Sequence, residues 1–318
     1  MKYSIIVPFF NEEENVSALN DEIIKVVTSK ESGDRIFEII YVDDGSSDNT
    51  FKNLSLLTNQ KNIPTTIIKH RRNIAQSVAI LSGKEKANYN NLIFLDGDLQ
   101  NDPQDIPKLI RKFEEGYDMV VGWRKTRRDP FFSKTLPSVI ANFLIRVFTN
   151  SKIHDHGCAL KVLKKEIFDE IIEWGADFHR LLAARAADMG FKIFEVPVNH
   201  RSRKHGKSKY GFSRIVKVMM DIIYLGFLKN KRKSLYYFGM FGFGSIFCSL
   251  IIFLVMIYWK YFVSGSFIRT PLPVLAVFFF LTGINFILIG IIAQILIIKN
   301  NKKKSETEQS EIETTRIQ

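Results

Sequence analysis

The chain has 318 residues, 46% hydrophobic and 25% charged, with a formal net charge of +12. That length accommodates one large α/β domain plus a smaller element, and the charge calls for anionic partners; with no zinc-finger pattern or basic zipper and with the basic residues clustered near apolar segments, nucleotide phosphates and acidic lipid headgroups are expected, not nucleic acid. Only two cysteines, Cys158 and Cys248, are present, which excludes a disulfide framework and fits a reducing, cytoplasmic setting for the polar part.

Chain order begins with a short apolar run, Tyr3 to Phe10, broken at Pro8 and followed by Asn11 and Glu12. It lacks the long apolar core and small-residue cleavage site of a signal peptide, so it reads as a first buried strand. Further strands are predicted at Phe37–Val42, Thr65–Lys69, Asn91–Leu95 and Met119–Val121, with helical stretches near 12–30, 48–58, 75–87 and 104–115. Fully apolar strands separated by helices predict a mostly parallel sheet covered on both faces. In such sheets ligands gather at the carboxyl ends of the strands.

Residues 130–198 continue as mixed helix and strand. The segment 213–233 reads as an amphipathic helix at a membrane interface with basic flanks. Two uncharged stretches come next, between Lys233 and Lys260 and between Arg269 and Lys299, each long enough to span a bilayer as a helix. Lys229, Lys231, Arg232 and Lys233 precede the first, and Lys299, Lys302, Lys303 and Lys304 come after the second. By the positive-inside rule both termini and the polar domain face the cytoplasm, as a multi-pass protein of the inner (plasma) membrane. Asn285 and Gln294 read as bridges between the spans. Residues 299–318 read as a disordered polar tail. The expected organisation is therefore 1–212, 213–233, 234–298 and 299–318.

Three acidic clusters fall at strand ends. Asp96-Gly97-Asp98-Leu99-Gln100 comes after the fourth strand, and two carboxylates one residue apart can hold a divalent cation, Mg²⁺ or Mn²⁺, that grips a diphosphate. Val42-Asp43-Asp44-Gly45-Ser46 comes after the second strand and can accept hydrogen bonds from a base or ribose. Pro8-Phe9-Phe10-Asn11-Glu12 ends the first. A lone D-x-D is common on surfaces, so its weight comes from the company it keeps. Neither G-x-G-x-x-G nor a Walker A loop is present, which argues against dinucleotide enzymes and P-loop hydrolysis. His154-Asp155-His156-Gly157-Cys158 superficially resembles a zinc cluster, but no second ligand group at a usual spacing accompanies it.

In this order and spacing the clusters resemble family 2 glycosyltransferases of the GT-A fold. Gly122-Trp123-Arg124, Asp155-His156-Gly157-Cys158 and His200-Arg201…Gly206-Lys207-Ser208-Lys209-Tyr210 extend the resemblance to bacterial polyprenyl-phosphate glycosyltransferases, undecaprenyl-phosphate enzymes among them, over roughly residues 3 to 298. The chain departs from that pattern in having D-G-D for D-A-D and Arg72-Asn73-Ile74 where a glycine usually comes after the Asn.

The resemblance implies a GT-A nucleotide-sugar domain with interfacial and transmembrane helices after it. It implies inverting transfer of a sugar from a nucleotide sugar, UDP-glucose or a related donor, to polyprenyl phosphate for cell-envelope modification. Pro8, Asn11, Glu12, Asp43, Asp44 and Asp96 would hold the nucleotide, and Asp96, Asp98 and Gln100 would surround Mg²⁺ or Mn²⁺. Asp98 would act through the metal, while Asp155 would orient the acceptor or serve as base. Two anions must meet, so cations are needed: Arg124, Arg128, Arg201 and Arg203 are expected at the acceptor phosphate. Alternatives are a dolichyl-phosphate mannose synthase-like transfer from GDP-mannose, a membrane-anchored nucleotidyltransferase, and a nucleotide-sugar sensor without turnover.

Overall fold

The structure, a computed structural model, describes residues 1–57, 62–125, 142, 145–146, 151–171, 181–202, 234–262 and 270–316. Arg128, Arg203 and the expected interfacial segment 213–233 lie outside the described residues. The chain divides into two units, Met1–Ile223 and Tyr224–Gln318.

Among its described residues the first unit is built on seven strands: β1 (Lys2–Phe9), β2 (Ile36–Asp43), β3 (Thr65–Lys69), β4 (Asn91–Phe94), β5 (Met119–Trp123), β6 (Lys161–Lys164) and β7 (Ile193–Pro197). They form one sheet in the order β3-β2-β1-β4-β6-β5-β7. Every pairing is parallel except those of β6, which runs antiparallel to both β4 and β5. The central strands are continuous apolar runs because both faces are covered: Ile5, Ile6, Val7, Ile39, Ile40, Leu92, Ile93, Val120 and Val162 have no exposed surface.

Among the described residues, this unit also holds helices α1 (Val16–Val27), α2 (Thr50–Ser55), α3 (Gln76–Lys86), α4 (Ile106–Glu114), α5 (Lys165–Ile171) and α6 (Leu182–Asp188). In α1 the buried positions Val16, Leu19, Asn20, Ile23, Ile24 and Val27 keep the three-and-four spacing of one helix face. Gly83 of α3 lies where a Cβ would come 2.5 Å from Ile6 Cγ2, so α3 packs closely on the sheet through its missing side chain. Charge inside this core is compensated. Glu38 in β2 is buried, and it accepts from the Ser4 hydroxyl at 2.5 Å and from Asn88 N–H at 2.7 Å.

The reversal of β6 changes which segment meets the carboxyl edge of the sheet. Parallel strands deliver the residues after them to that edge, whereas an antiparallel strand delivers the residues before it. The segment 151–160, just upstream of β6, therefore arrives where β1, β2, β4 and β5 end.

The second unit contains α7 (Ser234–Phe262) and α8 (Leu272–Arg316). Leu235–Phe262 and Leu272–Ile295 are long and apolar enough to cross a membrane, and only 17% of each hydrophobic window is buried. A core helix of a soluble domain would be mostly covered. The two helices pack on each other through glycines, since a Cβ on Gly283 would lie 2.6 Å from Gly242 O. The helices are joined by Ser245 and Ser249, whose hydroxyls donate to the carbonyls of Phe279 and Ala276, both at 2.7 Å. Asn285, read from the sequence as a bridge, is exposed, and Gln294 Oε1 is buried without a partner. Small side chains allow the backbones to approach closely enough for hydroxyl-to-carbonyl bonds, a geometry that longer amides do not need. Helix α8 continues to Arg316, over the stretch read from the sequence as a disordered tail. That stretch is rich in Lys, Glu and Gln, which have good intrinsic helix propensity once a helix is already under way.

Candidate active site

The turns after β1 and β2 are tied together. Asn11 has φ of +51°, a left-handed conformation that Asn tolerates better than most side-chain-bearing residues. That turn lets its N–H donate to Ser46 Oγ at 2.9 Å while its Oδ1 accepts from Ser47 N–H at 2.8 Å. Glu12 N–H donates to Thr50 Oγ1 at 2.9 Å, and the Glu12 carboxylate accepts from Asn15 Nδ2 at 2.6 Å. Pro8 lies opposite Val42, and Phe9 closes β1 opposite Asp43.

Asp43 and Asp44 are both buried, yet they do different work. Asp44 accepts from Asn73 Nδ2 at 3.0 Å and Ile74 N–H at 3.2 Å, and meets His70 Nδ1 at 2.8 Å. It organises the loop after β3. That loop passes so close to Gly45 that a Cβ there would lie 2.2 Å from the Arg72 carbonyl carbon, and Gly45 has φ of +71°. A side chain at this position is therefore excluded on two counts. Asp43 instead receives Ser46 N–H on Oδ1 at 3.1 Å, while Oδ2 is buried without a partner. An orphaned carboxylate oxygen at a strand end is suited to accept from a ligand N–H or O–H.

Asp96 lies just past β4, and its Oδ1 accepts from Gln76 Nε2 at 2.6 Å. Burial, and then the neighbouring Asp98 carboxylate, push the Asp96 carboxyl above the usual range, while Lys161 and Arg124 pull it back. Asp98 Oδ1 accepts from Gln100 N–H at 3.1 Å across Leu99, a buried residue held at φ of +57°. Left-handed geometry at a leucine is strained and persists only where the surroundings impose it. Gln100 contributes its carbonyl as well, accepting from Arg201 N–H at 2.9 Å. Gly97 replaces the alanine of D-A-D because a Cβ there would come 2.5 Å from the Phe9 ring. The bulky Phe9 of the first cluster accounts for the departure in the third.

A buried carboxyl pushed up by the carboxylate two residues on fits a divalent cation, whose charge removes the repulsion. No group of three or more His, Cys, Asp and Glu able to hold a metal exists among the described residues. Asp96 and Asp98 would thus hold Mg²⁺ or Mn²⁺ with the remaining positions left to phosphate and water, the usual habit of these ions.

On the other side of β4, Arg124 and Asp155 form a two-pronged pair, with Nε to Oδ2 at 2.7 Å and Nη2 to Oδ1 at 2.9 Å. Gly157 N–H adds a bond to Asp155 Oδ1 at 3.2 Å. Burial works against the Arg124 charge, but Asp155 more than offsets it and holds the guanidinium above its ordinary value. Glu195 of β7 braces this segment, accepting from His154 and Asp155 N–H at 2.7 and 2.9 Å, while the His154 ring stacks on Trp123 with centroids 4.7 Å apart. Arg201 points elsewhere: its Nη1 meets Glu22 at 2.7 Å and its Nη2 meets Asp102 at 2.7 Å. It fastens the chain beneath the Asp98–Gln100 turn rather than standing as a second arginine beside Arg124.

Lys161, which the sequence does not single out, is buried at the head of β6 between Phe94 of β4 and Val121 of β5. Its ammonium donates to the Cys158 carbonyl, and Asp96 and Asp155 both act on its charge. Cys158 itself is buried, and burial pushes its thiol up to about 11, so it is a packing residue rather than a nucleophile or zinc ligand. His70, Gln76 and Glu195 are equally silent in the sequence; their only signal is proximity in space.

The comparisons with known proteins agree with this geometry. The model of glycosyl transferase family 2 matches residues 4–172. A dodecaprenyl-phosphate galacturonate synthase of Rhizobium johnstonii is 33% identical over 300 residues, covering 93% of this chain and 88% of the relative. Among solved structures, mannosyl-3-phosphoglycerate synthase from Rubrobacter xylanophilus aligns with a TM-score of 0.55 at 13% identity, over 73% of this chain and 75% of that one. A mannosyltransferase from Pyrobaculum calidifontis, in complex with GDP-mannose and Mn²⁺, aligns with a TM-score of 0.51 at 17% identity, over 72% and 64%. The alternating α/β sheet and the carboxylates at its strand ends point the same way as these likenesses: the chain belongs to glycosyl transferase family 2 and is a glycosyltransferase of the GT-A fold.

Proposed function

We propose that the enzyme transfers a sugar from a nucleoside diphosphate sugar to the phosphate of a polyprenyl phosphate at the cytoplasmic face of the plasma membrane. One observation carries this reading. The likeness to the galacturonate synthase runs over 93% of the chain, beyond the family's 4–172, so it includes the sequence past the sugar-donor half.

Asp43, through its unpartnered Oδ2, and the cross-tied Pro8–Glu12 turn take the nucleoside; Asp44 serves by holding the loop after β3. Asp96 and Asp98, with Gln100 setting the turn, hold Mg²⁺ or Mn²⁺, which would neutralise charge on the leaving diphosphate. A phosphate monoester has a second pKa near 6, so the acceptor is already a competent nucleophile and needs positioning more than a strong base. Asp155 fits that need as the group that aims Arg124, leaving the rest of the guanidinium to face an anion. The direct displacement inverts the anomeric carbon. Residues 1–212 form the catalytic part and the 234–298 hairpin the anchor, with both termini cytoplasmic by their flanking lysines.

The donor is a UDP-sugar, UDP-glucose or one carrying the galacturonate that the relative's name specifies, with GDP-mannose next; the acceptor is undecaprenyl rather than dolichyl phosphate. Incubating the protein in lipid with undecaprenyl phosphate, Mg²⁺ or Mn²⁺ and each labelled donor should carry label into the organic phase. Label that stays aqueous with every donor ends this reading, and nucleotide product without lipid-linked sugar would favour a nucleotidyltransferase.

A further inference from the structure

His156 is 1% exposed, and neither ring nitrogen has a hydrogen-bond partner. Buried polar groups are almost always satisfied, and one that is not calls for a specific explanation. The charged groups acting on this ring are Lys161 on β6, Arg146, and Asp155 beside it in the chain. Asp155 is occupied by Arg124 and by the Gly157 N–H. Lys161 is occupied by the Cys158 carbonyl. Arg146 has its Nε buried without a partner. An unsatisfied imidazole thus shares its surroundings with two cations and one carboxylate that is already paired. The chemistry missing from this cluster is an anionic hydrogen-bond acceptor.

We propose that His156 is an acceptor-binding residue whose ring N–H donates to the phosphate monoester of the lipid, with Arg146 supplying charge nearby. This rests on the proposed sugar transfer and adds a residue to it. Burial first, then Lys161 and Arg146, lower the imidazole pKa to about 4, so the ring is neutral at working pH and offers one N–H without adding a proton to the nucleophile. Donation alone is involved: no bond is made or broken at the ring. The same phosphate chemistry occurs in the donor's diphosphate, and separate kinetic arms distinguish the two sources.

The test uses the full-length protein in lipid, as wild type, His156→Phe and His156→Gln. Initial rates are measured against polyprenyl phosphate at saturating donor, and against donor at saturating polyprenyl phosphate. His156→Phe should raise the acceptor KM roughly tenfold or more, the usual consequence of losing a hydrogen bond to a charged group, while donor KM and metal-dependent donor binding stay at wild-type values. His156→Gln, whose carboxamide can donate, should recover most of the loss. A short-chain prenyl phosphate should also shift the His156 ring resonance, assigned by its disappearance in the Gln variant. An unchanged acceptor KM in His156→Phe overturns the proposal, as does a rise in donor KM alone or an equal rise in both. Absence of lipid-linked product from the wild type is a different result, and it removes the sugar transfer itself.

Discussion

The two sides of the carboxyl edge treat charge differently. On the proposed donor side Asp43 keeps an oxygen without a partner, and Asp96 and Asp98 repel each other. On the proposed acceptor side Arg124 and Asp155 satisfy one another, and Arg201 is spent on Glu22 and Asp102. The donor side is built with unfilled valence for a ligand and a cation. Around Arg124 and Asp155 the charges are mutual pairs that hold shape, and the unfilled hydrogen-bonding capacity lies in the His156 ring and Arg146 Nε instead. Listing charges in a sequence cannot tell these cases apart, because both appear as acidic and basic residues near strand ends.

The sharpest way to break the contrast is on the paired side. Replacing Arg124 by Met leaves Asp155 as an uncompensated buried charge and should cost about 3–5 kcal/mol of stability, read by denaturant unfolding of the protein in detergent. Adding Asp155→Leu to that variant should recover a large part of the loss, since removing both partners is far less costly than removing one. On the open side the expectation is reversed. Asp98→Asn should leave the fold's stability unchanged or slightly raised, because a repulsion is relieved, while transfer falls about 10²–10³-fold, the scale of losing one electrostatic stabiliser of the transition state. Steady-state transfer with and without added metal checks both parts.

A pH series sharpens the comparison further. The folded value of His156, about 4, lies below the ordinary 6.5, so between those limits the unfolded chain binds the extra proton. Stability is therefore complete above the ordinary value and falls as pH drops towards the folded one, by about 3 kcal/mol in total for this group. His156→Phe should flatten that part of the profile. The smallest effect is expected at Gly97→Ala, where crowding against Phe9 should cost about 1–3 kcal/mol. Pairing it with Phe9→Leu should restore the thermal midpoint, which would show that ring size sets the D-G-D spelling.

Much of the fold was legible because burial on both faces leaves long apolar runs: β1 to β5 lie where the sequence places them. β6 and β7 do not stand out in the sequence, as Lys161-Val-Leu-Lys164 is half charged and Ile193–Pro197 carries a central Glu195. Lys161 reads as a surface residue until Phe94 and Val121 are seen on either side. Asp43, Asp44, Asp96 and Asp98 could be named from their positions after strands. Their division of labour could not, since it depends on Gln76, His70 and Asn73, which reach them only through the tertiary fold. The same holds for Arg201, whose partner Glu22 is 179 residues away in sequence.

Because β6 runs against its neighbours, chain leaves β5 and enters β6 at the same rim, so the described ends of the excursion between them, Arg124-Lys125 and 151–160, both lie beside the carboxylates at the strand ends. Such an excursion can be lengthened, shortened or exchanged without reordering a single strand. Under the proposed sugar transfer, exchanging that excursion would alter what receives the sugar while leaving the carboxylates after β1, β2 and β4 in place.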